Sequence, residues 1–277
     1  MKFIVILLIV WLNRYWVGDN PLHQRGWFDR YRVWITKQDF VAGIRPNSQF
    51  LLLVGLPSVA VVVLFWLIED WLWGLVWMAA NLVVLGYSVG LSLSESRLQD
   101  HLQWLRTLKP GDQLEEAQNY HQDFQEEMIY DEFESLYPVF FWFILAGPAG
   151  AIFYRLCRQY FSSLEDEESD SVTVGQVIHF LDWLPGRISA LFFALVGDFT
   201  RCIRPWVVSL SEWQVPVKEV LGDIASAALG APDAEQADIR QFMLDAEREV
   251  FVLRDLLNRT LICWIGLIAV LALLGAL

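Results

Sequence analysis

The residues from Phe50 to Ile68 read FLLLVGLPSVAVVVLFWLI and contain no charged side chain. At about 1.5 Å per residue, a helix of this length covers the roughly 30 Å of hydrocarbon in a bilayer. Pro57 is compatible with such a helix when neighbouring helices satisfy the backbone groups that it frees. A second apolar run begins after Glu69 and Asp70, so this stretch predicts the first half of a membrane-spanning helical hairpin.

Apolar runs recur along the whole chain. The predicted membrane segments are residues 3–17, 50–68, 71–93, 136–154, 172–197 and 261–277. Hydrophobic residues make up 55% of the chain and the mean hydropathy is +0.37, and these residues are gathered in blocks, unlike those of soluble domains. The predicted fold class is all-α: a polytopic helical membrane protein with five or six membrane segments. The count depends on residues 172–197, where Pro185 leaves a full span, a broken span and a re-entrant helix open.

The charge of the loops predicts their orientation. The loops 18–47, 94–134 and 200–259 contain five, three and seven Lys and Arg residues, whereas the connections 69–70 and 162–171 contain none. Positively charged loops of membrane proteins stay in the cytoplasm. We therefore predict that the three long loops are cytoplasmic and that the two acidic connections face the exterior.

Two of the loops show helical periodicity. Leu98, Leu102 and Leu105 recur at helical spacing, and a further helix is predicted from Gln113 into the fourth membrane segment. An apolar stripe precedes the last segment and consists of Ile239, Met243, Ala246, Val250, Leu253 and Leu257. We predict that this stripe packs against the rest of the protein, with a dimerising coiled coil as the alternative.

The fifth membrane segment contains ionisable side chains. His179, Asp182 and Arg187 lie within it, and Arg155 and Arg158 lie at the end of the fourth segment. Charged groups at membrane depth are costly and usually face a cavity, a partner or a ligand. These five residues form the candidate ligand-binding pocket, for which a small anionic ligand is expected. The structural alternative is an internal ion pair of Asp182, either with Arg187 or with a basic residue of the fourth segment.

Acidic side chains in the loop 94–134 form a weak candidate for a metal site. Glu127 and Asp131 lie four residues apart on one face of the predicted helix, and such carboxylates can hold Mg²⁺. A solvated helix face explains the same residues more simply. The histidines and cysteines show no metal-ligand spacing, so zinc is not expected and the cysteines are predicted to pack as small apolar residues. The sequence names no cofactor.

Several partners are disfavoured. The net charge is −13 and no basic stripe is present, which argues against nucleic acid. The P-loop, zinc-protease, esterase and dinucleotide motifs do not occur. Gly86 and Gly90 form a small-xxx-small pair in the third segment, for which packing within the chain is preferred over a homodimer seam. The lipid bilayer is the partner that the composition requires.

Four short stretches carry a family resemblance. Residues 181–191 read LDWLPGRISAL, and the stretches 138–142, 147–155 and 205–210 read PVFFW, GPAGAIFYR and PWVVSL. With these stretches the chain resembles the AmpE family of bacterial inner-membrane proteins, and the resemblance covers the whole chain in order. The AmpE family is in turn related to the membrane cobinamide-phosphate synthases of cobalamin synthesis.

The resemblance implies a location in the bacterial inner membrane. It implies a regulatory or sensory role, linked to β-lactamase induction and cell-wall recycling, with a cell-wall recycling component as a partner and no named ligand. The related synthases join an aminopropanol phosphate to cobyric acid with ATP. An ATP-dependent amide-forming enzyme is therefore the alternative function.

The sequence departs from the synthase pattern in two places. Residues 130–137 read YDEFESLY where the synthases carry a polar Glu-Asn-Thr/Ser-Asp element, and residues 156–162 read LCRQYFS where they carry Asn-Thr-Leu-Asp. Both lost elements are candidate phosphate or metal contacts, so we expect that this chain does not make cobinamide phosphate. This expectation assumes that the fourth segment crosses the membrane, because a re-entrant segment would return Arg155 and Arg158 to the cytoplasmic side, where ATP is.

Overall fold

The computed structural model describes residues 2–15, 26–37, 49–68, 75–89, 94–109, 113–164, 169–230 and 239–275. All regular secondary structure in this part of the chain is helical. The predicted connection 69–70 and the second glycine of the small-xxx-small pair, Gly90, lie outside the described residues.

The described residues form ten α-helices. In chain order they are α1 (Lys2–Tyr15), α2 (Gly26–Thr36), α3 (Leu56–Ile68), α4 (Leu75–Ser88), α5 (Ser94–Thr107), α6 (Leu114–Phe161), α7 (Ser169–Val196), α8 (Phe199–Ser209), α9 (Val217–Leu229) and α10 (Ile239–Leu273). A π-helical turn, Leu51–Gly55, leads directly into α3.

Each predicted membrane segment contains a helix, but the helices differ in length. Among the described residues, α6, α10 and the Thr173–Val196 part of α7 are long and apolar enough to cross a membrane by length and composition. The apolar parts of α1, α3 and α4 are shorter. The architecture is that of a helical membrane protein, and the predicted number of five or six spans is not confirmed.

The chain forms two compact units. The first comprises residues 1–91, 138–182 and 271–277, and the second comprises residues 92–137 and 183–270. In the first unit α4 packs against α1 and α3, and in the second unit α8 packs against α9. The long helices α6, α7 and α10 each contribute to both units.

A sharp bend divides α6. Gly147 has φ 67° and ψ −157°, a conformation that only glycine adopts readily, and Pro148 follows it. A Cβ atom on Gly150 would lie 2.5 Å from the carbonyl oxygen of Trp142, although residues eight positions apart in a straight helix are separated by about 12 Å. The fourth predicted segment, residues 136–154, is therefore not one straight span.

The bend leaves a carbonyl group that needs a donor. The non-helical conformation of Gly147 and the missing N–H group of Pro148 together leave the carbonyl oxygen of Ile144 without its helical donor. The ammonium group of Lys2 donates a hydrogen bond to this oxygen at 3.0 Å. The first helix of the chain is thus attached to the bend in α6 by a side chain that replaces the missing backbone donor.

Pro185, inside α7, also frees a carbonyl group that a side chain of another helix bonds. Pro185 cannot bond the carbonyl oxygen of Leu181, and the indole Nε1–H of Trp142 donates to that oxygen at 3.1 Å. For residues 172–197 the sequence left a full span, a broken span and a re-entrant helix open, and α7 continues through Pro185 without a break. The replacement donor on α6 satisfies the carbonyl group that the proline frees.

One contact bears directly on the predicted orientation. Arg32 Nη1 of α2 donates to the backbone oxygen of Ser163 at 3.0 Å and to its side-chain Oγ at 2.9 Å. Because the two residues are in contact, we expect them to be accessible from one side of the membrane. The placement that loop charge predicts, with loop 18–47 in the cytoplasm and connection 162–171 outside, stays a prediction that labelling can decide. Residues 165–168 of that connection lie outside the described part of the chain.

The apolar stripe of α10 packs within the protein, as predicted. Five of its six side chains are buried and Met243 is half-buried. Ala246 and the adjacent Phe242 form a hydrophobic cluster with Leu105 of α5 and Ala117 of α6. The prediction for the cysteines is also confirmed, because all three are free, two are buried and the third is half-buried.

The exchange of a backbone donor for an indole donor at Pro185 can be tested by a double-mutant cycle. Replacement Trp142→Phe leaves the carbonyl oxygen of Leu181 unpaired and should destabilise the protein by about 1–3 kcal/mol. Replacement Pro185→Ala supplies a backbone N–H, so Trp142→Phe should cost clearly less in that background. Thermal unfolding of the four proteins in detergent measures the difference. An equal cost in both backgrounds would show that the indole does not serve this carbonyl group.

The contact between Arg32 and Ser163 predicts sidedness. In a cysteine-free background, single cysteines at the exposed positions Thr36 and Ser162 should react identically with a membrane-impermeant thiol reagent in intact cells. A third cysteine at Gln113 reports the side of the loop 94–134, which we still predict to be opposite to Ser162. Opposite labelling of Thr36 and Ser162 would contradict the contact.

Candidate functional site

Three buried polar side chains meet between α6 and α7. Tyr154 and Arg158 lie one helical turn apart on α6, so both face Asp182 of α7. The Tyr154 hydroxyl donates to Asp182 Oδ1 at 2.8 Å, and Arg158 Nη2 lies 3.3 Å from Asp182 Oδ2. Arg158 Nε donates in turn to the Tyr154 hydroxyl oxygen at 3.2 Å. Two hydrogen bonds and an ion pair thus connect the three groups in a closed cycle.

The burial of this cluster decides what it does for stability. Tyr154, Arg158 and Asp182 are 1%, 8% and 2% exposed. A buried carboxylate is tolerated when an opposite charge and further donors satisfy it, and its isolation is strongly destabilising. The partner of Asp182 is a basic residue at the end of the fourth segment, which was the structural alternative that the sequence left open.

Arg187 has a different set of partners. Its Nε donates to the carbonyl oxygen of Ser209 at 3.2 Å and its Nη2 donates to that of Glu212 at 3.0 Å. The last carbonyl groups of a helix lack intrahelical donors and carry partial negative charge. Arg187, which is 2% exposed, therefore caps the C-terminal end of α8, and its guanidinium also lies 5.4 Å from the ring centroid of Trp183.

Two further contacts attach the same part of α7 to α8 and α9. The indole Nε1–H of Trp206 donates to the carbonyl oxygen of Arg187 at 2.9 Å. A Cβ atom on Gly186 would lie 2.5 Å from Cγ1 of Val217, so only glycine permits this close approach of α7 and α9. The Leu-Pro-Gly-Arg motif, residues 184–187, is thus where α7 contacts α8 and α9.

The predicted pocket residues therefore divide between the two units. Asp182 and Arg158 are paired in the first unit, and Arg187 binds backbone oxygens in the second. His179 and Arg155 are half-buried on α7 and α6. Their role in binding an anionic ligand stays a prediction.

The weak metal candidate has a protein partner. Asp131 forms an ion pair with Arg97 of α5, and Glu127 is exposed. Across the described ranges, no three His, Cys, Asp or Glu side chains are grouped so that they could hold a metal ion. The ion pair with Arg97 therefore supplies a structural use for Asp131.

A buried histidine pair joins three helices of the second unit. His101 Nε2 of α5 lies 2.9 Å from His121 Nδ1 of α6, and the two residues are 3% and 4% exposed. His121 Nε2 lies 3.2 Å from Glu249 Oε2 of α10, which also accepts from Gln125 Nε2 at 3.1 Å. When His121 donates its Nε2–H to the carboxylate, its Nδ1 is left to accept the Nε2–H of His101.

Sequence reasoning missed this histidine pair. Metal-ligand spacing along the chain does not indicate it, because His101 and His121 are twenty residues apart and belong to different helices. The available signal was position: His101 lies between Leu98 and Leu105 on the apolar face of α5. The ring of His101 stacks on Phe124 with a centroid distance of 3.7 Å, which burial of that face explains.

The environment of His101 favours its neutral form. Burial and the neighbouring His121 lower the pKa of His101 from its ordinary 6.5 to about 4. The folded protein therefore binds fewer protons than the unfolded chain between these two values. His101 contributes stability that is complete above pH 6.5 and is lost as the pH falls toward 4.

This linkage predicts a pH dependence. Thermal unfolding of the purified protein between pH 7.5 and 4 should show a fall in Tm as the pH is lowered below about 6.5. Replacement His101→Gln keeps a side-chain donor for His121 but removes the titrating group, so the fall should be smaller in this variant. The same slope in both proteins would contradict the assignment, since the three remaining histidines are common to both.

The cluster around Asp182 predicts strong coupling between its members. Replacement Arg158→Leu leaves an unpaired buried carboxylate and should destabilise the protein by about 3–5 kcal/mol. The double replacement Arg158→Leu with Asp182→Leu removes both charges and should recover a large part of that loss. Tyr154→Phe removes one hydrogen bond and should cost about 1–2 kcal/mol. Chemical unfolding in detergent measures the wild type, these three variants and Asp182→Leu alone, and additive effects of the two leucine replacements would refute the pairing.

Comparison with known proteins gives a family and two curated relatives. A family model described as "Regulatory signalling modulator protein AmpE" matches residues 95–277, which is more than half of the chain. Protein AmpE of Shigella flexneri is 26% identical over 121 residues, 41% of this chain and 43% of the relative. The cobalamin biosynthesis protein CobD of Stutzerimonas stutzeri (strain A1501) is 26% identical over 110 residues, 38% of this chain and 35% of the relative.

The matches to the two curated relatives cover only part of each protein. The matched part spans less than half the length of either curated relative. No solved structure matches the chain significantly. The family match includes both ends of the Asp182–Arg158 pair, the Arg187 cap and the histidine pair. By the extent of this match, the chain belongs to the AmpE family, which is related to CobD.

Proposed function

We propose that this protein is a regulatory or sensory protein of the bacterial inner membrane, linked to β-lactamase induction and cell-wall recycling. Membership of a family described as regulatory signalling modulators is the observation that carries the proposal. The helices α5, α8, α9 and the polar parts of α6 and α10 receive the signal. The apolar parts of α6, α7 and α10 hold them at the membrane.

In the second unit, side-chain contacts join α10 to α5 and α6, and we infer that a signal received by these helices reaches α10 through them. Glu249 and Glu247 of α10 contact His121 of α6 and Arg106 of α5, the latter pair at 3.1 Å. A partner that binds the polar helices can therefore shift α10 relative to α5 and α6. α10 is one continuous helix of 35 residues, so its polar first half and apolar second half move together.

The partners of the buried charges of α7 favour a structural role for the four stretches that carry the family resemblance, which we call the shared motifs. Asp182 is satisfied by Tyr154 and Arg158. Arg187 donates from Nε and Nη2 to two backbone oxygens, while its buried Nη1 has no hydrogen-bond partner among the described residues. Groups that are already paired inside the protein stabilise the helical arrangement on which a regulator depends. This favours the exposed faces of the polar helices as the place where a cell-wall recycling component binds.

Deletion of the gene in its host tests the regulatory function. We expect altered β-lactamase induction after deletion and recovery with the wild-type gene. Glu249→Gln should restore less, because Glu249 ties α10 to α6. The matched control is Asp245→Asn, since Asp245 accepts from Gln241 of its own helix at 3.0 Å. Immunoblots equalise protein levels, and unchanged induction in the deletion strain would overturn the proposal.

An ATP-dependent amide-forming enzyme is the second candidate. Two observations favour it: the similarity to CobD and the sharp bend at Gly147, which removes the straight span that separated Arg158 from the side of loop 18–47. The contact of Arg32 with Ser163 places the end of α6 beside α2. Against it stand the two replaced polar elements and the engagement of Arg158 with Asp182.

Complementation decides between the two functions. Catalysis of phosphoryl chemistry needs positioned cations and donors around the transferred group. Because residues 130–137 and 156–162 lack the polar elements of the synthases, this chain should not support growth of a strain that lacks its cobinamide-phosphate synthase. Growth that depends on this chain, and that is abolished by Arg155→Leu, would establish the enzyme instead.

A further inference from the structure

An open groove lies in the second unit between the end of α7 and the middle of α10. Its volume is about 850 Å³, within the range of pockets that hold small molecules. One part of its lining is apolar and includes Val196, Phe251, Val252 and Leu256. The other part is polar and includes three arginines of α10, Arg248, Arg254 and Arg259, together with the carboxylates of Glu247 and Asp255.

The sequences of two helices independently indicate the level of this groove in the bilayer. The apolar stretch of α7 ends at Val196, which lines the groove. The charge-free stretch of α10 begins at Thr260, directly after Arg259. A membrane helix changes from apolar to charged sequence where the hydrocarbon meets the headgroup layer. The groove therefore lies at the level of the lipid headgroups.

The lining of the groove has the two chemistries of a phospholipid. Arg259 is exposed and forms an ion pair with Asp255 at 2.9 Å, and Arg254, five residues earlier on α10, is also exposed. Guanidinium groups bind phosphate oxygens in bidentate geometry. Phe251 and Val252 remain 47% and 45% exposed beside them, so an apolar surface is available to an acyl chain.

We propose that this groove binds an anionic phospholipid, with its phosphate on Arg254 and Arg259 and an acyl chain along Phe251 and Val252. The chain carries a net charge of −13, so a soluble anion is repelled by the protein as a whole. A lipid headgroup is held at this level by its own acyl chains and meets the arginines locally. Basic pockets between membrane helices bind anionic headgroups on this physical basis.

The test compares lipids on the full-length protein. Delipidated protein in detergent is titrated with phosphatidylglycerol or phosphatidylcholine, and bound lipid is counted by native mass spectrometry while Tm is recorded. Phosphatidylglycerol should bind more tightly and raise Tm. Each arginine should contribute about fivefold, so Arg254→Gln with Arg259→Gln should lose about 25-fold in affinity. The charge-preserving pair Arg254→Lys with Arg259→Lys should keep most of the preference.

Matched controls make each outcome decisive. Arg240→Gln changes an exposed arginine of the same helix that does not line the groove, and it should bind phosphatidylglycerol like the wild type. An equal loss in this control would overturn the site, as would equal binding of both lipids to the wild type. Complete competition by glycerol phosphate at lipid concentrations would also overturn it, because the groove would then bind a soluble phosphate.

Discussion

Every polar group among apolar helices needs a partner from the protein, because hydrocarbon offers none. This constraint is met at each proline-freed carbonyl group described above. The oxygen of Leu181 is bonded by the indole of Trp142, and the oxygen of Ile144 by the ammonium group of Lys2. A proline in a buried helix thus leaves a carbonyl group without its backbone donor. In both cases the side chain that replaces this donor joins two elements that are distant in sequence.

The same constraint explains why the shared motifs contact one another. The motif 181–191 supplies Asp182, which is satisfied by Tyr154 of the motif 147–155. It also supplies Arg187, which caps the helix that contains the motif 205–210. Each motif therefore contains a polar group whose partner lies in another motif. A change in one is costly unless the other changes too, which gives these stretches a structural reason to occur together.

Because these charges bond partners inside the protein, we expect the function to depend on surfaces outside the shared motifs. The second unit offers the exposed faces of its polar helices and a groove lined by Arg254 and Arg259. Under the proposed regulatory function, the exposed faces would bind a partner, and under the proposed lipid binding, the groove would fix the position of the protein in the bilayer. In the second unit, the contact of Glu249 with His121 links the polar half of α10 to α6.

The sequence alone determined the features that depend on local pattern. The apolar blocks predicted a helical membrane protein, and the stripe from Ile239 to Leu257 predicted the packed face of α10, because helical periodicity repeats every few residues. It also limited Asp182 to an internal pair or a ligand, since an isolated charge at that depth is too costly. These features are readable without any knowledge of distant contacts.

Only the tertiary structure decided which distant groups are partners. The choice of Arg158 for Asp182, the pairing of His101 with His121 and the contact of Arg32 with Ser163 join residues from 20 to 131 positions apart. Loop charge could not reveal the last contact, because it scores each loop separately. The bend at Gly147 likewise depends on a glycine conformation that no periodicity encodes. Which side chains become partners depends on which helices pack together, and this packing is a property of the whole chain rather than of any one segment.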